Sequence, residues 1–340
     1  MSADPTAARD GDAAPAPLRV GVWGVGTWGE KHARVYAEHP GVTLVGVHDR
    51  DDERARAVAV RWGCEAFASP EALLGRVDAV SVAVPTEAHR AAVEQAAAAG
   101  RHVLVEKPMA GRLEDADAML VAAARAGIQL QVGHVERFNP ALVAVRPFVR
   151  APKFIEAHRL ATFQPRSLDV DVVFDLMIHD IDAVLDLVGQ APSQLSAVGV
   201  AVLSGNEDIA NARLEFPDGC VANLTASRVS QDRLRRMRFF QSDAYLAVDL
   251  AGRSGEVLRV DPAKFRPEAP HAAITRRPLE VVEGEPLALE LAAFVRSLAH
   301  GGPGAAPGAA GRAALAVASE VRDAMKRRAR QWTDRTRAAC

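Results

Sequence analysis

Cysteine is scarce in this 340-residue sequence, which contains only Cys64, Cys220 and Cys340. Three widely spaced cysteines provide neither a disulfide framework nor the clustered thiolates of a zinc site, so we expect a protein of the reducing cytoplasm. Long apolar runs are missing too. No segment has the length of a membrane span, and residues 1–17 lack an apolar signal core, which predicts no membrane insertion and a disordered N-terminal tail.

An excess of charge of either sign is absent as well. The chain has 41 basic and 43 acidic side chains and a formal net charge of −2. Such a balance gives no reason to expect a nucleic-acid partner or an anionic membrane surface, so a small-molecule ligand is expected. A chain of this length exceeds the usual size of one hydrophobic core, which predicts two domains.

Short β-rich runs alternate with helical stretches from Leu18 to about Val132. The runs are "LRVGVW", "VTLVGVH", "VDAVSVAVP", "RHVLVEKP" and "IQLQVG". The stretches between them are long enough for crossover helices, and right-handed crossovers place such strands in one parallel sheet. We therefore predict an α/β fold in which residues 18–135 form a doubly wound Rossmann domain.

The pattern changes after "GHVERFNPA". One helix-like stretch, "DVDVVFDLMIHDIDAVLDLVG", is followed by runs between about residues 194 and 260 that are separated by turn sequences, which is typical of an antiparallel meander. Two later segments have helical periodicity. These features predict a second, α+β domain over 136–330, with C-terminal helices over 286–330 and a tail over 331–340.

A glycine motif follows the first predicted strand. Gly24, Gly26 and Gly29 have the spacing G-x-G-x-x-G at the start of a predicted helix. The first glycine permits a tight turn, the second lets the backbone approach a pyrophosphate, and the third allows close packing of helix on strand. The helix N-terminus attracts phosphates, so Thr27 and Trp28 are also assigned to the cofactor site.

A carboxylate ends the second predicted strand. Asp49 stands where it would accept hydrogen bonds from an adenosine ribose. Its charge disfavours a 2′-phosphate, which makes NAD the expected cofactor and NADP the less favoured one, although the neighbouring Arg50 would offset that charge. A glycine-rich turn that merely joins a strand to a helix would leave Asp49 unexplained.

Two further strand ends carry polar residues, in "VAVPTEAH" and "VEKPMA". Ligands of such sheets bind beyond the carboxyl ends of the strands. The additional residues assigned to the cofactor site are Pro85, Thr86, His89, Glu106 and Lys107. Lys107 would emerge close to a nicotinamide and is also a predicted catalytic residue, the alternative being an exposed surface lysine.

These segments resemble the family of glucose-fructose oxidoreductase, inositol dehydrogenase and MocA-like proteins. "GVGTWGEKHA", "VPTEAH", "VEKP" and "DLMIHDID" occur in that order, and the resemblance spans nearly the whole chain. It implies a Rossmann domain followed by a domain with an open, mainly antiparallel sheet that supports homodimers or homotetramers. It also implies that Lys107, Asp175 and His179 line the catalytic site.

Helical spacing gives the last two residues a physical relation. Asp175 and His179 are at positions i and i+4, so they share one face of a predicted helix. A carboxylate beside an imidazole fixes its tautomer and stabilises its charged form. We predict that His179 is the main acid/base, that Asp175 orients it, and that Lys107 polarises the substrate hydroxyl or relays its proton, with the roles of Lys107 and His179 interchangeable.

Two alternatives remain for this helix. In the first alternative, the Asp175 and His179 side chains form only a pair on the helix surface, which stabilises the helix by ~0.2–0.5 kcal/mol. A metal ion bound by His179, Asp180 and Asp182 is the other alternative, which is disfavoured because the three positions do not share one face. No metal is expected.

Substrate contacts are predicted from Arg137 and Asn139 in "GHVERFNPA", from Arg166 and from His179. "GHVERFNPA" and "RSLDVDVVFDLMIHDID" are more similar to the nucleotide-sugar branch of the family than to the inositol branch. That resemblance implies hydride transfer from a sugar 3-hydroxyl to the nicotinamide, and an aminotransferase that converts the 3-keto product to an amino sugar for lipid A.

Arginines offer contacts for a diphosphate, because guanidinium groups bind phosphate oxygens bidentately. Arg159, Arg166, Arg228 and the run "RLRRMRFF" are the positions considered, and solvated strand residues are the alternative for each. Rival functions are a dehydrogenase or reductase of a free sugar or cyclitol, a redox-neutral glycosidase with bound NAD, and a dinucleotide-binding regulator. The presence of Lys107, Asp175 and His179 argues against the regulator.

Overall fold

A parallel sheet of six strands forms the N-terminal part of the computed structural model, which describes residues 16–164, 170–302 and 304–338. The strands are β1 (Leu18–Trp23), β2 (Val42–His48), β3 (Glu65–Ala66), β4 (Ala79–Val82), β5 (His102–Glu106) and β6 (Leu130–Gly133). Their order is β3-β2-β1-β4-β5-β6, which is the Rossmann order. The predicted doubly wound sheet is confirmed, and the two-residue β3 is the strand that the sequence did not indicate.

The crossover helices begin and end where local chemistry favours it. They are α1 (Thr27–Glu38), α2 (Asp52–Trp62), α3 (Pro70–Leu74), α4 (His89–Ala98) and α5 (Leu113–Ala126). The Asp51 side chain caps α2 by accepting the Arg54 N–H, as expected at an N-terminus. Gly63 and Gly127 end α2 and α5 in the left-handed region, each with φ 65°, a conformation that favours glycine.

A sheet of eight strands forms the second part of the fold. Its strands are β7 (Phe154–Leu160), β8 (Gln194–Val200), β9 (Ile209–Glu215), β10 (Val221–Ser227), β11 (Leu234–Phe240), β12 (Ala244–Asp249), β13 (Ser254–Val260) and β14 (Ile274–Pro278). The order is β14-β13-β12-β11-β7-β10-β9-β8, and only the β7–β10 pair is parallel. The prediction of a mainly antiparallel sheet is confirmed, but β7 was missed because Arg159 lies on its buried face and disrupts the apolar alternation.

Four more helices are α6 (Pro140–Val145), α7 (Ile178–Val188), α8 (Pro286–His300) and α9 (Gly308–Ala338). Helices α7 and α9 share a hydrophobic core with one face of the eight-stranded sheet. Helix α8 packs instead on the Rossmann sheet, where Leu291 and Phe294 lie in a core with Val20 and Tyr36. Throughout the described ranges, no helix is both long enough and apolar enough to cross a membrane.

A π-helical turn, Val173–Met177, precedes α7. The sequence predicted one continuous α-helix here. Asp171 caps the turn, because its Oδ1 accepts the N–H groups of Val173 and Phe174 at 3.0 and 3.2 Å. A π turn widens the backbone spiral, so the α-helical alignment assumed for Asp175 and His179 does not apply across it.

Candidate functional site

A cleft of about 320 Å³ lies where the carboxyl ends of β4 and β5 face the π turn and β11. It brings together predicted residues from both halves of the chain. The members of the predicted set that line it are Trp28, Pro85, Thr86, His89, Glu106, Lys107, Asp175 and His179. Titratable groups therefore converge beside the glycine-rich loop, as in a binding site.

The glycine loop has the shape that a dinucleotide pyrophosphate requires. Gly24 has φ +87°, and a Cβ there would lie 2.8 Å from the Ala83 backbone. A Cβ on Gly29 would lie 1.8 Å from the carbonyl oxygen of Gly24. A Cβ on Gly26, in contrast, would meet no heavy atom of the described chain within 4 Å. Gly24 and Gly29 therefore shape the turn, while Gly26 leaves open space at the N-terminus of α1 for phosphates.

Asp49 ties the end of β2 to this loop. Its Oδ2 accepts the Val25 N–H at 2.7 Å, and its Oδ1 accepts the Asp51 N–H at 2.9 Å. The residue is 6% exposed, whereas the next residue, Arg50, is exposed. Arg54 Nη1 lies 3.6 Å from Asp49 Oδ2. A carboxylate thus stands beside the loop at the place where a ribose is bound in Rossmann sheets.

His89 joins the loops that follow β4 and β5. Its ring nitrogens lie 2.9 Å from the Val84 carbonyl oxygen and 3.1 Å from that of Pro108. Burial lowers the pKa of this imidazole, against the opposing effect of the carbonyl contacts. Thr86 begins a short 3₁₀ turn just before it. His89 therefore positions the wall of the cleft on which Thr86 lies.

Lys107 connects the two halves of the site. Its Nζ donates a hydrogen bond to the backbone carbonyl oxygen of Asp175 at 2.7 Å. The lysine follows β5, and the carbonyl belongs to the π turn before α7. An ammonium group from the Rossmann sheet is thereby held beside the helix that carries His179.

The surroundings of His179 favour the neutral form of its imidazole. Burial lowers its pKa well below the ordinary value, and the positive charges of Lys107, Arg159 and Arg235 lower it further. Its Nδ1 is buried and has no hydrogen-bond partner in the described part of the chain. The predicted role of Asp175 as orienter is corrected here, because no hydrogen bond joins the two side chains within the described residues and the environment favours the uncharged imidazole.

Two predicted substrate residues have structural partners instead. The guanidinium of Arg137 binds both carboxylate oxygens of Asp182 at 2.7 Å and Asp186 at 3.0 Å. It borders a separate cavity of about 680 Å³ that holds none of the predicted catalytic residues. The Asn139 carbonyl caps α6 at Ala141 N–H, and its amide donates to the Leu250 carbonyl. The structure therefore corrects the substrate role of both.

Arg166, the third predicted substrate contact, lies outside the described residues. The acids considered for a metal are paired with arginines: Asp180 binds Arg159 through both oxygens at 2.9 and 2.8 Å, and Asp182 binds Arg137. Within the described ranges, no group of three or more histidine, cysteine or carboxylate side chains is arranged to hold a metal ion.

One residue that contacts the site, His32, was not predicted from the sequence. His32, buried on α1, lies with Nε2 2.9 Å from Glu106 Oε1 and with Nδ1 3.1 Å from Ser81 Oγ. Burial raises the pKa of Glu106, but the His32 contact and the charge of Lys107 lower it more, so the net shift is downward. The signal was a histidine soon after Gly29, in the otherwise apolar buried face of α1.

The fold and the glycine loop together define a dinucleotide-binding oxidoreductase, and comparison with known proteins agrees. The profile of the "Oxidoreductase family, NAD-binding Rossmann fold" matches residues 18–134, and the profile "GFO/IDH/MocA C-terminal domain" matches residues 148–247. The chain belongs to the Gfo/Idh/MocA family of NAD-binding oxidoreductases.

Two curated relatives illustrate the range of the family. UDP-N-acetylglucosamine 3-dehydrogenase from Acidithiobacillus ferrooxidans is 41% identical over 91% of this chain and 97% of its own. Inositol 2-dehydrogenase from Rhizobium meliloti is 28% identical over 62% of this chain and 69% of its own.

Solved structures give the same fold. The Acidithiobacillus ferrooxidans enzyme superposes with a TM-score of 0.84 at 41% identity, covering 90% of this chain and 97% of that one. A levoglucosan dehydrogenase in complex with NADH and levoglucosan has a TM-score of 0.80 at 20% identity, covering 92% and 98%. The second match supports the fold alone.

The glycine geometry generates a paired prediction. Gly26→Ala should weaken NAD binding about tenfold or more, because its methyl group enters the space for the pyrophosphate, while the free energy of unfolding changes by less than about 1 kcal/mol. Gly29→Ala should lower that free energy by about 1–3 kcal/mol, because its methyl group collides with the Gly24 carbonyl. Calorimetric NAD titration and urea unfolding measure the two effects. Unchanged NAD affinity in Gly26→Ala would contradict the assignment.

Proposed function

We propose that this protein oxidises the 3-hydroxyl of UDP-N-acetylglucosamine to a 3-keto nucleotide sugar, with NAD as the hydride acceptor. The observation that carries the choice of substrate is the 41% identity, over 91% of the chain, to an enzyme with that name. The chemistry is supported by Lys107, Asp175 and His179 lining one cleft beside the glycine loop. An aminotransferase acting on the keto product, in lipid A synthesis, is the proposed next enzyme.

NAD supplies the acceptor carbon for the hydride when it is bound. The open space at Gly26 and the N-terminus of α1 fit its pyrophosphate. The buried Asp49 carboxylate fits the adenosine ribose and repels a 2′-phosphate, which supports NAD over NADP. In this proposal residues 18–135 hold the cofactor, and residues 136–330 recognise the substrate and join subunits.

The proposed proton transfer follows from the two basic side chains. Lys107, oriented by the Asp175 carbonyl, places a positive charge beside the substrate hydroxyl and stabilises the developing alkoxide. His179 accepts the hydroxyl proton, and its lowered pKa keeps the imidazole neutral beforehand. The Asp175 carboxylate lines the same cleft and accepts hydrogen bonds from sugar hydroxyls.

The direct test is oxidation of the sugar nucleotide. When purified protein is mixed with NAD and UDP-N-acetylglucosamine, the absorbance of NADH should rise. Mass spectrometry should detect a 3-keto sugar. An aminotransferase that consumes this product should relieve product inhibition. NADP should support a slower reaction, as should myo-inositol and free N-acetylglucosamine with NAD. Faster oxidation of inositol would favour a cyclitol dehydrogenase instead.

Catalytic variants provide the control for this assay. Lys107→Met and His179→Ala should each lower kcat by about 100-fold or more, the usual contribution of a positioned acid or base. NAD affinity should remain within about twofold, since neither residue belongs to the glycine loop. Wild-type turnover in either variant would remove that residue from the mechanism.

The environment of His179 predicts a pH dependence. The base is active when neutral, and its pKa is lowered, so kcat/KM should stay constant as the pH falls through about 6.5, the ordinary value for histidine, and decline only at lower pH. NMR titration of the His179 ring should give the same low pKa, and Lys107→Met should raise it because a neighbouring cation is lost. A ring that titrates at or above about 6.5 would contradict this account.

We also propose that the face of the eight-stranded sheet opposite α7 and α9 joins copies of the chain. Phe154, Phe240 and Tyr245 cluster there with ring centroids 5.4 and 5.1 Å apart, and each is only partly buried. Tyr245→Asp should reduce the particle mass in light scattering, whereas Val60→Asp, at an exposed position of α2, should not. A monomeric wild-type protein would refute the proposal.

A further inference from the structure

A second cavity adjoins the catalytic cleft. It has a volume of about 140 Å³ and lies between the end of β7, the π turn and the start of β11. Asp175, Leu176 and Arg235 line both spaces. A substrate held at His179 therefore has a direct extension into this second cavity.

Buried acids already bind two of the arginines near these spaces. Arg159 is 2% exposed and binds Asp180 bidentately and Glu136 at 2.7 Å. Arg228 is 4% exposed and binds Asp208 at 2.9 Å. Turning either guanidinium toward a ligand would leave a buried carboxylate without its counter-charge, which is strongly unfavourable. Neither side chain is suited to bind a substrate phosphate.

Arg233 and Arg235 are placed differently. Arg233 immediately precedes β11, and Arg235 is the second residue of that strand. Both line the second cavity, and the side chain of Arg235 is 50% exposed. Arg233 Nε and Nη2 each lie 3.4 Å from the hydroxyl of Thr162, and Arg235 Nη1 lies 3.6 Å from Glu136 Oε1. Both guanidinium groups are thus within reach of a ligand in the cavity.

The chemistry of the two walls assigns the parts of a ligand. Asp175 and His179 offer a carboxylate and an imidazole, which suit the hydroxyl groups of a sugar. Two adjacent guanidinium groups offer planar pairs of donors that match phosphate oxygens, and their two positive charges outweigh the single carboxylate of Asp175 that also borders the second cavity. A sugar at His179 would therefore direct a linked diphosphate toward Arg233 and Arg235.

We propose that Arg233 and Arg235 form the subsite for the diphosphate of a nucleoside diphosphate sugar. This inference rests on the proposed nucleotide-sugar function and adds the residues that distinguish such a substrate from a free sugar. Arg235, which lines both cavities, binds the phosphate next to the sugar, and Arg233 binds the one next to the nucleoside.

Calorimetric titration with UDP and with UMP, both at saturating NAD, tests the subsite. The wild-type protein should bind UDP at least about tenfold more tightly than UMP, since a second phosphate adds charge-assisted hydrogen bonds. Arg233→Ala and Arg235→Ala should each reduce that ratio about tenfold, and Arg235→Lys should retain part of it. Arg125→Ala removes the same charge from the exposed end of α5 and should leave the ratio unchanged. NAD affinity in each variant reports whether the fold is intact.

The outcomes separate this subsite from the function on which it rests. A wild-type ratio that persists in both alanine variants would overturn the subsite while leaving the nucleotide-sugar function in place. A wild-type protein that binds neither UDP nor UMP, yet oxidises a free sugar, would overturn both. A reduced ratio with unchanged NAD affinity supports the assignment.

Discussion

The bidentate ion pair between Arg137 and Asp182 fixes the position of α7, the helix that carries His179. Arg137 follows β6 of the Rossmann sheet, and Asp182 lies on α7, with both nitrogen-to-oxygen distances at 2.7 Å and both side chains buried. Such a pair adds little net stability, because desolvation offsets the attraction, but its geometry permits one arrangement. Since α7 begins with His179 as its second residue, the ion pair also sets where the imidazole meets the cofactor domain.

Two further polar contacts also hold the parts of the site in place. Arg159 on β7 binds Asp180 on α7, so the helix is held from the second sheet as well as from the first. Lys107 then reaches the carbonyl of Asp175 in the π turn. A wider turn at this point offers its backbone to a ligand or side chain, and π turns occur often at functional sites. Polar contacts therefore link Lys107, the π turn and α7, whose apolar side chains also lie in the core.

Local sequence patterns predicted the features that depend on local chemistry. The glycine spacing predicted the turn because Gly24 has a positive φ and Gly29 packs against the carbonyl oxygen of Gly24, both of which are local requirements. The β-rich runs between helical stretches predicted the Rossmann strands, because each run is also a local pattern. The roles of Arg137 and Asn139 were mistaken because a polar residue near a cleft is indistinguishable, in sequence, from one that binds an acid 45 residues away, as Arg137 does. The π turn was missed because no residue type specifies it, and β7 because a buried arginine interrupts its pattern.

The first turns of α7 thus place two acids beside an imidazole with a lowered pKa. Asp180 and Asp182 are each bound by a buried arginine, Arg159 and Arg137 respectively. Burial lowers the pKa of the neighbouring His179 imidazole, and the cations Lys107, Arg159 and Arg235 lower it further. In the proposed reaction, these cations would also favour an alkoxide on the substrate and an anionic group nearby. Under the proposed function, one distribution of charge would therefore serve both proton removal and the binding of a negatively charged sugar derivative.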